Sequence, residues 1–181
     1  MIITWAGKEN FIIKTKGQTI KVGAEIALGT FKIQSPGEYE SSGVQVEVID
    51  GTIEILSEKM TIAWIKKAKI LSDQELEKLN GIDVLLLGVG GGEFTDTKTA
   101  IGVVNQIEPK VVIPMYSGNP PAGSPRFGEA GGEAGLESFT KEEGVKGEGQ
   151  EQFKFSPADL PSDERKIVIL NPSTSLRVDS E

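Results

Sequence analysis

The sequence contains no cysteine and no histidine among its 181 residues. Without cysteine the chain cannot form disulfides, thiolate metal sites or cysteine nucleophiles. Without histidine it lacks the usual zinc ligand and the usual general base near neutral pH. Two large classes of enzyme site, the conventional zinc centre and the Ser-His-Asp triad, are therefore excluded.

Long hydrophobic runs are also missing. No stretch reaches the roughly 18 apolar residues that a membrane helix needs, and residues 1–8 lack the basic and apolar regions of a signal peptide. We therefore expect a cytoplasmic protein that does not bind membranes. Acidic residues outnumber basic residues by 27 to 19, for a net charge of −8. Because a field of that sign repels phosphate backbones, nucleic acid is not an expected partner.

The sequence does contain a strand, loop, helix and strand in series between residues 81 and 116. Residues 82–87 form a run that is apolar apart from Asp83 and has no polar alternation, which is typical of a strand buried on both faces. Thr95 or Asp96 can cap the helix that follows. Residues 110–113 then predict a second buried strand. A unit of this kind is almost always parallel and right-handed.

The first third of the chain is predicted to be nearly all β-strand. Residues 2–22 read as strands joined by a tight turn, and residues 44–49 alternate apolar and polar side chains as a strand with one buried face. Asp50-Gly51 indicates a hairpin. Towards the end, Phe153 and Phe155 suggest an edge strand, and residues 166–170 suggest a final buried strand.

These patterns predict one domain over residues 1–172. Residues 117–135 are rich in glycine and proline, which predicts a long loop inside that domain. Residues 173–181 are expected to be a frayed tail. Composition and periodicity alone indicate only an α/β or α+β domain.

Two segments carry a resemblance to a known family: Asp-Val-Leu-Leu-Leu-Gly-Val-Gly-Gly at residues 83–91 and Asn-Gln-Ile-Glu-Pro-Lys-Val-Val-Ile-Pro-Met at residues 105–115. They resemble metallo-β-lactamase-fold hydrolases, and in particular the small bacterial branch of Zn-dependent hydrolases with this fold. Ser-Pro-Gly-Glu-Tyr-Glu at residues 35–40 and Thr-Ile-Ala-Trp-Ile at residues 61–65 are similar to the same branch. The resemblance implies an α/β fold, the αββα sandwich of that family, here reduced in its N-terminal half.

The metal-ligand motifs of that family are absent from this sequence. The family's zinc-binding histidine after Ile-Pro-Met corresponds to Tyr116, and the histidine after the opening hairpin glycine corresponds to Lys8. The aspartate that bridges the metals corresponds to Lys66 or Lys67. The main His-x-His-x-Asp-His signature has no counterpart, because residues 24–29 lead directly to the next strand. The resemblance therefore indicates a degenerate member without a metal cofactor.

The sequence offers three alternative sites. Gly90, Gly91, Glu93 and Asp96 belong to a glycine-rich loop before a helix, which could bind phosphate, but the two acidic residues oppose an anion. The lysines at positions 8, 66 and 67 could neutralise a carboxylate left without its metal, or could simply point into water. Four acidic residues could also form an all-oxygen cation site, with solvated surface charge as the simpler interpretation: Glu38, Glu40, Glu93 and Asp96.

Two functional hypotheses follow. The first is a non-catalytic, metal-free binding or interaction module with no cofactor. The second is a hydrolase with residual or altered chemistry that does not use zinc. Because the shortened N-terminal half removes the usual helical cover, we also expect a homodimer through an exposed face of the first sheet. The apolar side chains expected on that face are Ile12, Ile20, Val44, Val46 and Val48. The competing interpretation is a polar outer face that needs no partner, because alternation lets each strand bury one face and expose the other. The residues that could supply it are Lys14, Lys16, Lys21, Gln45 and Glu47.

Overall fold

The computed structural model describes residues 1–117, 133–145 and 148–173. Most of the predicted loop over residues 117–135 and nearly all of the predicted tail over residues 173–181 lie outside these ranges. Within them, the chain forms two stacked β-sheets and three α-helices. The predicted two-sheet α/β sandwich is confirmed.

The first sheet has six strands in the order β12-β1-β2-β3-β4-β5, with every neighbouring pair antiparallel. Its strands are β1 (Ile2–Gly7), β2 (Asn10–Lys14), β3 (Thr19–Val22), β4 (Ile26–Leu28), β5 (Phe31–Ile33) and β12 (Gln152–Lys154). The strand predicted around Phe153 is therefore confirmed as an edge strand.

The second sheet has seven strands in the order β13-β11-β10-β9-β8-β7-β6. Its strands are β6 (Gly37–Ser41), β7 (Val44–Ile49), β8 (Thr52–Ser57), β9 (Met60–Ile65), β10 (Val84–Gly88), β11 (Val111–Met115) and β13 (Lys166–Ile167). Strands β6 to β9 are antiparallel, whereas β9, β10, β11 and β13 run parallel to one another.

The helices are α1 (Asp73–Lys78), α2 (Thr97–Ile107) and α3 (Glu133–Glu142). Helix α2 links the parallel strands β10 and β11, which confirms the predicted strand-helix-strand unit. Asp96 caps α2 by accepting a hydrogen bond from the amide of Thr99 at 3.0 Å. Thr95, the other candidate cap, is buried, and its hydroxyl accepts from the amide of Ala68 at 2.8 Å. No helix in the described ranges is long and apolar enough to cross a membrane.

The core lies between the sheets because each alternating strand turns its apolar side chains inward. Trp5, Phe11 and Ile13 project from the first sheet, and Ile55 and Ile62 project from the second; all five are essentially fully buried. Strands β10 and β11 are buried on both faces, as their unbroken apolar sequences predict.

The prediction of an exposed apolar face on the first sheet is wrong. Ile20 is buried between the sheets, and Ile12 is half-buried on the outside. The three valines of β7 belong to the second sheet and are buried too. The outer positions of the first sheet carry the lysines of β2, β3, β5 and β12 instead, a polar surface that needs no cover. The homodimer itself remains a prediction.

The predicted final strand over residues 166–170 is also corrected. Only Lys166–Ile167 forms a strand, at the edge of the second sheet, and the side chain of Lys166 is exposed. Leu170 forms an isolated bridge with Gln150. The Lys-Ile-Val-Ile-Leu sequence of residues 166–170 does not indicate that strand pairing ends after its second residue.

Candidate functional site

The carboxyl ends of β9, β10 and β11 meet at one end of the second sheet. Parallel strands place their following loops together there, which is where open α/β sheets bind ligands. Lys66 follows β9, a glycine loop follows β10, and Tyr116 follows β11. The turn between β1 and β2 lies against the same end, since the indole nitrogen of Trp64 donates to the carbonyl oxygen of Glu9 at 3.0 Å.

Lys66 lies between two carboxylates from distant parts of the chain. Its ammonium nitrogen is 3.3 Å from Oε1 of Glu9 and 3.4 Å from Oε2 of Glu93. The same nitrogen lies 5.7 Å from the centre of the Phe94 ring, within the range of a cation–π contact. We call Glu9, Lys66 and Glu93 the ion triad.

The environments of the triad members differ. The side chain of Glu9 is 16% exposed, whereas that of Glu93 is 75% exposed. Partial burial would by itself lower the pKa of Lys66, but hydrogen bonds to Glu9 and Glu93 and their negative charges raise it. Lys66 is therefore a permanent cation at neutral pH, and its principal partner is the more buried Glu9.

The second carboxylate oxygen of Glu9, Oε2, is buried and has no hydrogen-bond partner among the residues that the structure describes. A buried carboxylate is stable only when its charge is compensated. Here the compensation comes from Lys66 alone among the ion pairs of the described residues. Removing that ammonium would leave a poorly hydrated negative charge.

The other two candidate lysines do not join the triad. Lys67 is exposed, and its ammonium donates to the carbonyl oxygen of Gly92 at 3.0 Å. Lys8 is exposed in the turn after β1 with a positive φ of 51°. Its carbonyl oxygen accepts a hydrogen bond from the indole nitrogen of Trp5 at 2.8 Å. Both lysines thus shape neighbouring loops through local contacts.

Tyr116 lies at the position where the family resemblance implies a zinc-binding histidine. Its side chain is buried, and its ring packs on that of Trp5 with 4.7 Å between ring centres. Trp5 in turn packs against Phe11. An aromatic cluster therefore fills the space beneath the strand ends.

The glycine loop after β10 is explained by close packing. A side chain on Gly88 would overlap the carbonyl oxygen of Lys66. Gly135, near the start of α3, approaches Gly90 so closely that a methyl group would not fit between them. Gly90 and Gly91 also adopt positive φ values of 99° and 82°. These glycines bring β9, β10 and α3 together.

The same loop is poorly suited to phosphate. The carboxylate of Asp96 occupies the start of α2, where an anion would otherwise bind. Its pKa is lowered by hydrogen bonds from the hydroxyl and amide of Thr99, so it stays charged. The amide of Gly91 is engaged by the carbonyl oxygen of Thr95 at 2.9 Å.

The proposed all-oxygen cation site is not assembled. Glu38 and Glu40 lie on β6 at the edge of the second sheet, whereas Glu93 and Asp96 follow β10. Three strands separate these elements. Across the described ranges, no cluster of three acidic side chains has the geometry to hold a metal ion.

The residues at the strand ends also fail to fit the zinc centre that the fold family implies. Its usual nitrogen and sulfur ligands are absent from the sequence. The two carboxylates nearest the expected position are bound to Lys66, whose positive charge opposes a cation. No reaction step through a bound metal can therefore be derived for this chain.

Glu9 is the site residue that the sequence analysis missed. It stands next to Lys8, which drew attention because of its place in the family motif. The signal for Glu9 is electrostatic: a partly buried lysine at the end of a strand favours an acidic partner. That partner lies 57 residues earlier in the chain and becomes apparent only when the two sheets are stacked.

Comparison with known proteins agrees with this architecture. The family model described as "Beta-lactamase superfamily domain" matches residues 12–116, more than half of the chain. The match runs from β2 to the residue after β11, and so includes Lys66, Glu93 and Tyr116 but not Glu9.

Two solved structures are similar in fold. One is a candidate Zn-dependent hydrolase of the metallo-β-lactamase superfamily from Thermotoga maritima, with 22% identity and a TM-score of 0.75 over 94% of this chain and 98% of that one. The other is a metallo hydrolase from Ignicoccus hospitalis, with 12% identity and a TM-score of 0.56 over 86% of this chain and 99% of that one. At these identities the likeness establishes the fold alone.

Proposed function

The chain belongs to the β-lactamase superfamily, and we propose that within it this protein is a non-catalytic, metal-free binding module that acts in the cytoplasm. The observation that carries the proposal is the position of Lys66. Its ammonium lies between Glu9 and Glu93 at the end of β9. Lys66 is one of the two residues, with Lys67, at which the family resemblance implies an aspartate that bridges two metals. A fixed organic cation thus takes the place of a metal cation.

The chemistry of the remaining groups supports this proposal. Metal-assisted hydrolysis depends on a metal that lowers the pKa of bound water towards neutrality. Lys66 cannot replace the metal in that role, because its raised pKa keeps its proton in place near neutral pH. Tyr116 is packed against Trp5 and buried, which leaves it poorly placed to meet a substrate.

A hydrolase with altered chemistry is the second candidate. It is favoured by the names of the two similar structures, which are both hydrolases, and by the buried oxygen of Glu9 that has no partner. Such an oxygen could act as a general base if a substrate reached it.

Turnover assays distinguish the two candidates. We expect no turnover of generic lactam, phosphodiester or thioester substrates, with or without added zinc or manganese, because no group in the described part of the chain is placed to activate water. The matched variants are Glu9→Gln, which removes the candidate base, and Glu77→Gln on the exposed side of α1. Turnover that disappears in Glu9→Gln and survives in Glu77→Gln would establish the hydrolase and overturn the proposal.

A further inference from the structure

A large cleft lies at the opposite end of the sandwich from the ion triad. Its volume is about 970 Å³, and its walls come from the start of β1, the β2–β3 and β8–β9 turns, β12 and β13. The β8–β9 turn precedes the first residue of β9, whereas Lys66 follows the last. At about 3.3 Å per residue, the six residues of β9 separate the two sites by roughly 20 Å.

Four lysine side chains line this cleft from four different elements. None of the four forms an ion pair with any residue in the described ranges. These residues, which we call the cleft lysines, are Lys16, Lys59, Lys154 and Lys166. Four uncompensated cations around one cavity create a positive potential in a protein whose net charge is −8.

The two carboxylates in the cleft are already engaged by other groups. Glu58 accepts a hydrogen bond from the amide of Lys16 at 2.9 Å and lies 3.7 Å from the amino group of Met1. Asp159 accepts hydrogen bonds from the amide and hydroxyl of Ser156 at 2.8 and 2.6 Å. Neither carboxylate neutralises a cleft lysine.

The turn that carries Lys59 has charged residues at two positions where the backbone adopts an unfavourable left-handed conformation. Glu58 and Lys59 both have positive φ values, 54° and 63°. Glycine or asparagine is the usual choice for such a hairpin, as at Asp50-Gly51 between β7 and β8. For other residues the left-handed conformation is sterically unfavourable, because the Cβ atom comes too close to the following carbonyl oxygen. Departures from local preference of this kind are expected at functional sites.

One wall of the cleft is apolar. Phe153 of β12 and Phe155, which follows that strand, stack with 4.5 Å between ring centres. The ammonium of Lys166 lies 5.5 Å from the centre of the Phe153 ring. Pro157 extends this wall. The cleft therefore combines cationic groups with an apolar surface, as pockets for small organic ligands do.

We propose that this cleft binds a small organic anion that carries at least two negative charges, as phosphate or carboxylate groups, on an apolar body. The cleft lysines bind the charged groups, and the wall of Phe153, Phe155 and Pro157 packs against the body. A small ligand fits better than a long polyanion, because the protein's net charge of −8 repels an extended chain of phosphates. The inference is independent of the ion triad and of the proposed function.

Isothermal titration calorimetry at low ionic strength tests this proposal with four probes. Pyrophosphate presents phosphate charge without an apolar body, citrate presents carboxylates, ADP combines phosphates with a ring system, and adenosine is the uncharged form of that body. We expect ADP to bind more tightly than pyrophosphate, and adenosine not to bind. Comparison of citrate with pyrophosphate identifies the preferred charged group.

Two double variants with the same change in net charge provide the control. Lys154→Gln/Lys166→Gln removes two cleft lysines, and we expect it to weaken binding of the charged probes by about tenfold or more. Lys78→Gln/Lys98→Gln removes exposed lysines on α1 and α2, and we expect less than about a twofold change. Failure of every charged probe to bind at millimolar concentration, or equal weakening by both double variants, would overturn the proposal.

Discussion

At the scale of single residues, the ammonium group of Lys66 holds together two carboxylates that the sequence places 84 positions apart, at residues 9 and 93. Glu9 depends on it most, because Glu9 is the more buried of the two and has one oxygen without a partner. The ion pair of Glu9 and Lys66 resembles a buried salt bridge in one respect, because the loss of one side chain leaves the charge of the other uncompensated.

We predict that Lys66→Gln lowers the free energy of unfolding by about 1–2 kcal/mol at neutral pH, because Glu9 loses its counter-charge. Urea denaturation measures the change. Adding Glu9→Gln to that variant removes the stranded charge and should restore much of the loss.

Lys69→Gln serves as the control for this prediction. Lys69 also forms an ion pair, with Glu75 at 2.9 Å, but its side chain is 77% exposed. Solvent screens such a pair, so we expect a smaller effect. Equal losses in Lys66→Gln and Lys69→Gln would show that the triad has no special structural role.

Glu54 provides a second prediction at this scale. It stands directly opposite Glu47, which stands opposite Glu38, in one row across β8, β7 and β6. Burial raises the pKa of Glu54 above its ordinary value of 4.5, and the charge of Glu47 raises it further. Because the folded-state pKa is raised, this group's contribution to stability is complete below the ordinary pKa and is lost as the pH rises through the raised pKa.

Glu54→Gln should therefore stabilise the protein at neutral pH, by about 0.5 kcal/mol, the size of a cross-strand charge repulsion. The gain should vanish as the pH falls below 4.5, where the wild-type carboxyl is protonated in both states. Thermal unfolding across this pH range measures the gain in stability. Glu77→Gln is the control for the loss of one negative charge. A gain that stays constant with pH would contradict the explanation.

At the scale of elements, two glycines occupy contrasting positions. Gly88 ends β10, and any side chain there would overlap a backbone atom, the carbonyl oxygen of Lys66. Gly102 lies within α2, where a new methyl group would meet only the terminal carbon of Ile70, at 2.6 Å. Backbone cannot move aside at a strand end, whereas an exposed isoleucine can change its rotamer.

We predict that Gly88→Ala lowers the free energy of unfolding by about 2 kcal/mol through overpacking. Gly102→Ala should be nearly neutral, because the gain of about 0.5–1 kcal/mol from replacing glycine in a helix offsets the shift of Ile70. Chemical denaturation of both variants compares them. A neutral Gly88→Ala would mean that β9 and β10 do not approach as closely as described.

Local sequence patterns correctly predicted the strands and turns whose formation depends on residues close together in the sequence. The unbroken apolar runs of β10 and β11 and the Asp50-Gly51 hairpin all appear where expected. The same patterns did not predict which of the two sheets each strand joins. The alternation in β7 shows that one face is buried, but it does not specify which sheet the strand joins or what covers it.

The site was predictable only in part for the same reason. The resemblance to the family identified positions 66 and 67 together, and strand geometry was needed to assign the ion triad to Lys66. Glu9 lies in a turn of the first sheet, whereas Glu93 lies in a loop that follows a strand of the second sheet, so their approach depends on how the sheets stack. The unpaired state of the cleft lysines likewise depends on tertiary contacts that no spacing in the sequence encodes.

At the scale of the whole molecule, charge is distributed unevenly. The outer face of the first sheet carries exposed lysines on four strands, with Lys21 and Lys32 both paired to Glu25. The opposite sheet carries the row of glutamates that includes Glu54. Two copies that met through the first sheet would bring like charges together.

The predicted homodimer should therefore depend on salt. If it forms through the first sheet, the mass measured by light scattering should rise with ionic strength, because salt screens the lysines. Charge-reducing substitutions on that face, such as Lys14→Gln, should strengthen it. A dimer present at low ionic strength that dissociates as salt is added would contradict association through this face.

The central claim is that an internal ammonium has replaced the metal centre, and the metal content of the protein tests it most directly. Elemental analysis should be made on dialysed protein that was purified without a histidine tag. We predict far less than one zinc per chain and no change in unfolding temperature when a chelator is added, because carboxylates already bound to Lys66 compete poorly for zinc. One zinc per chain, whose removal by chelator unfolds the protein, would contradict the claim.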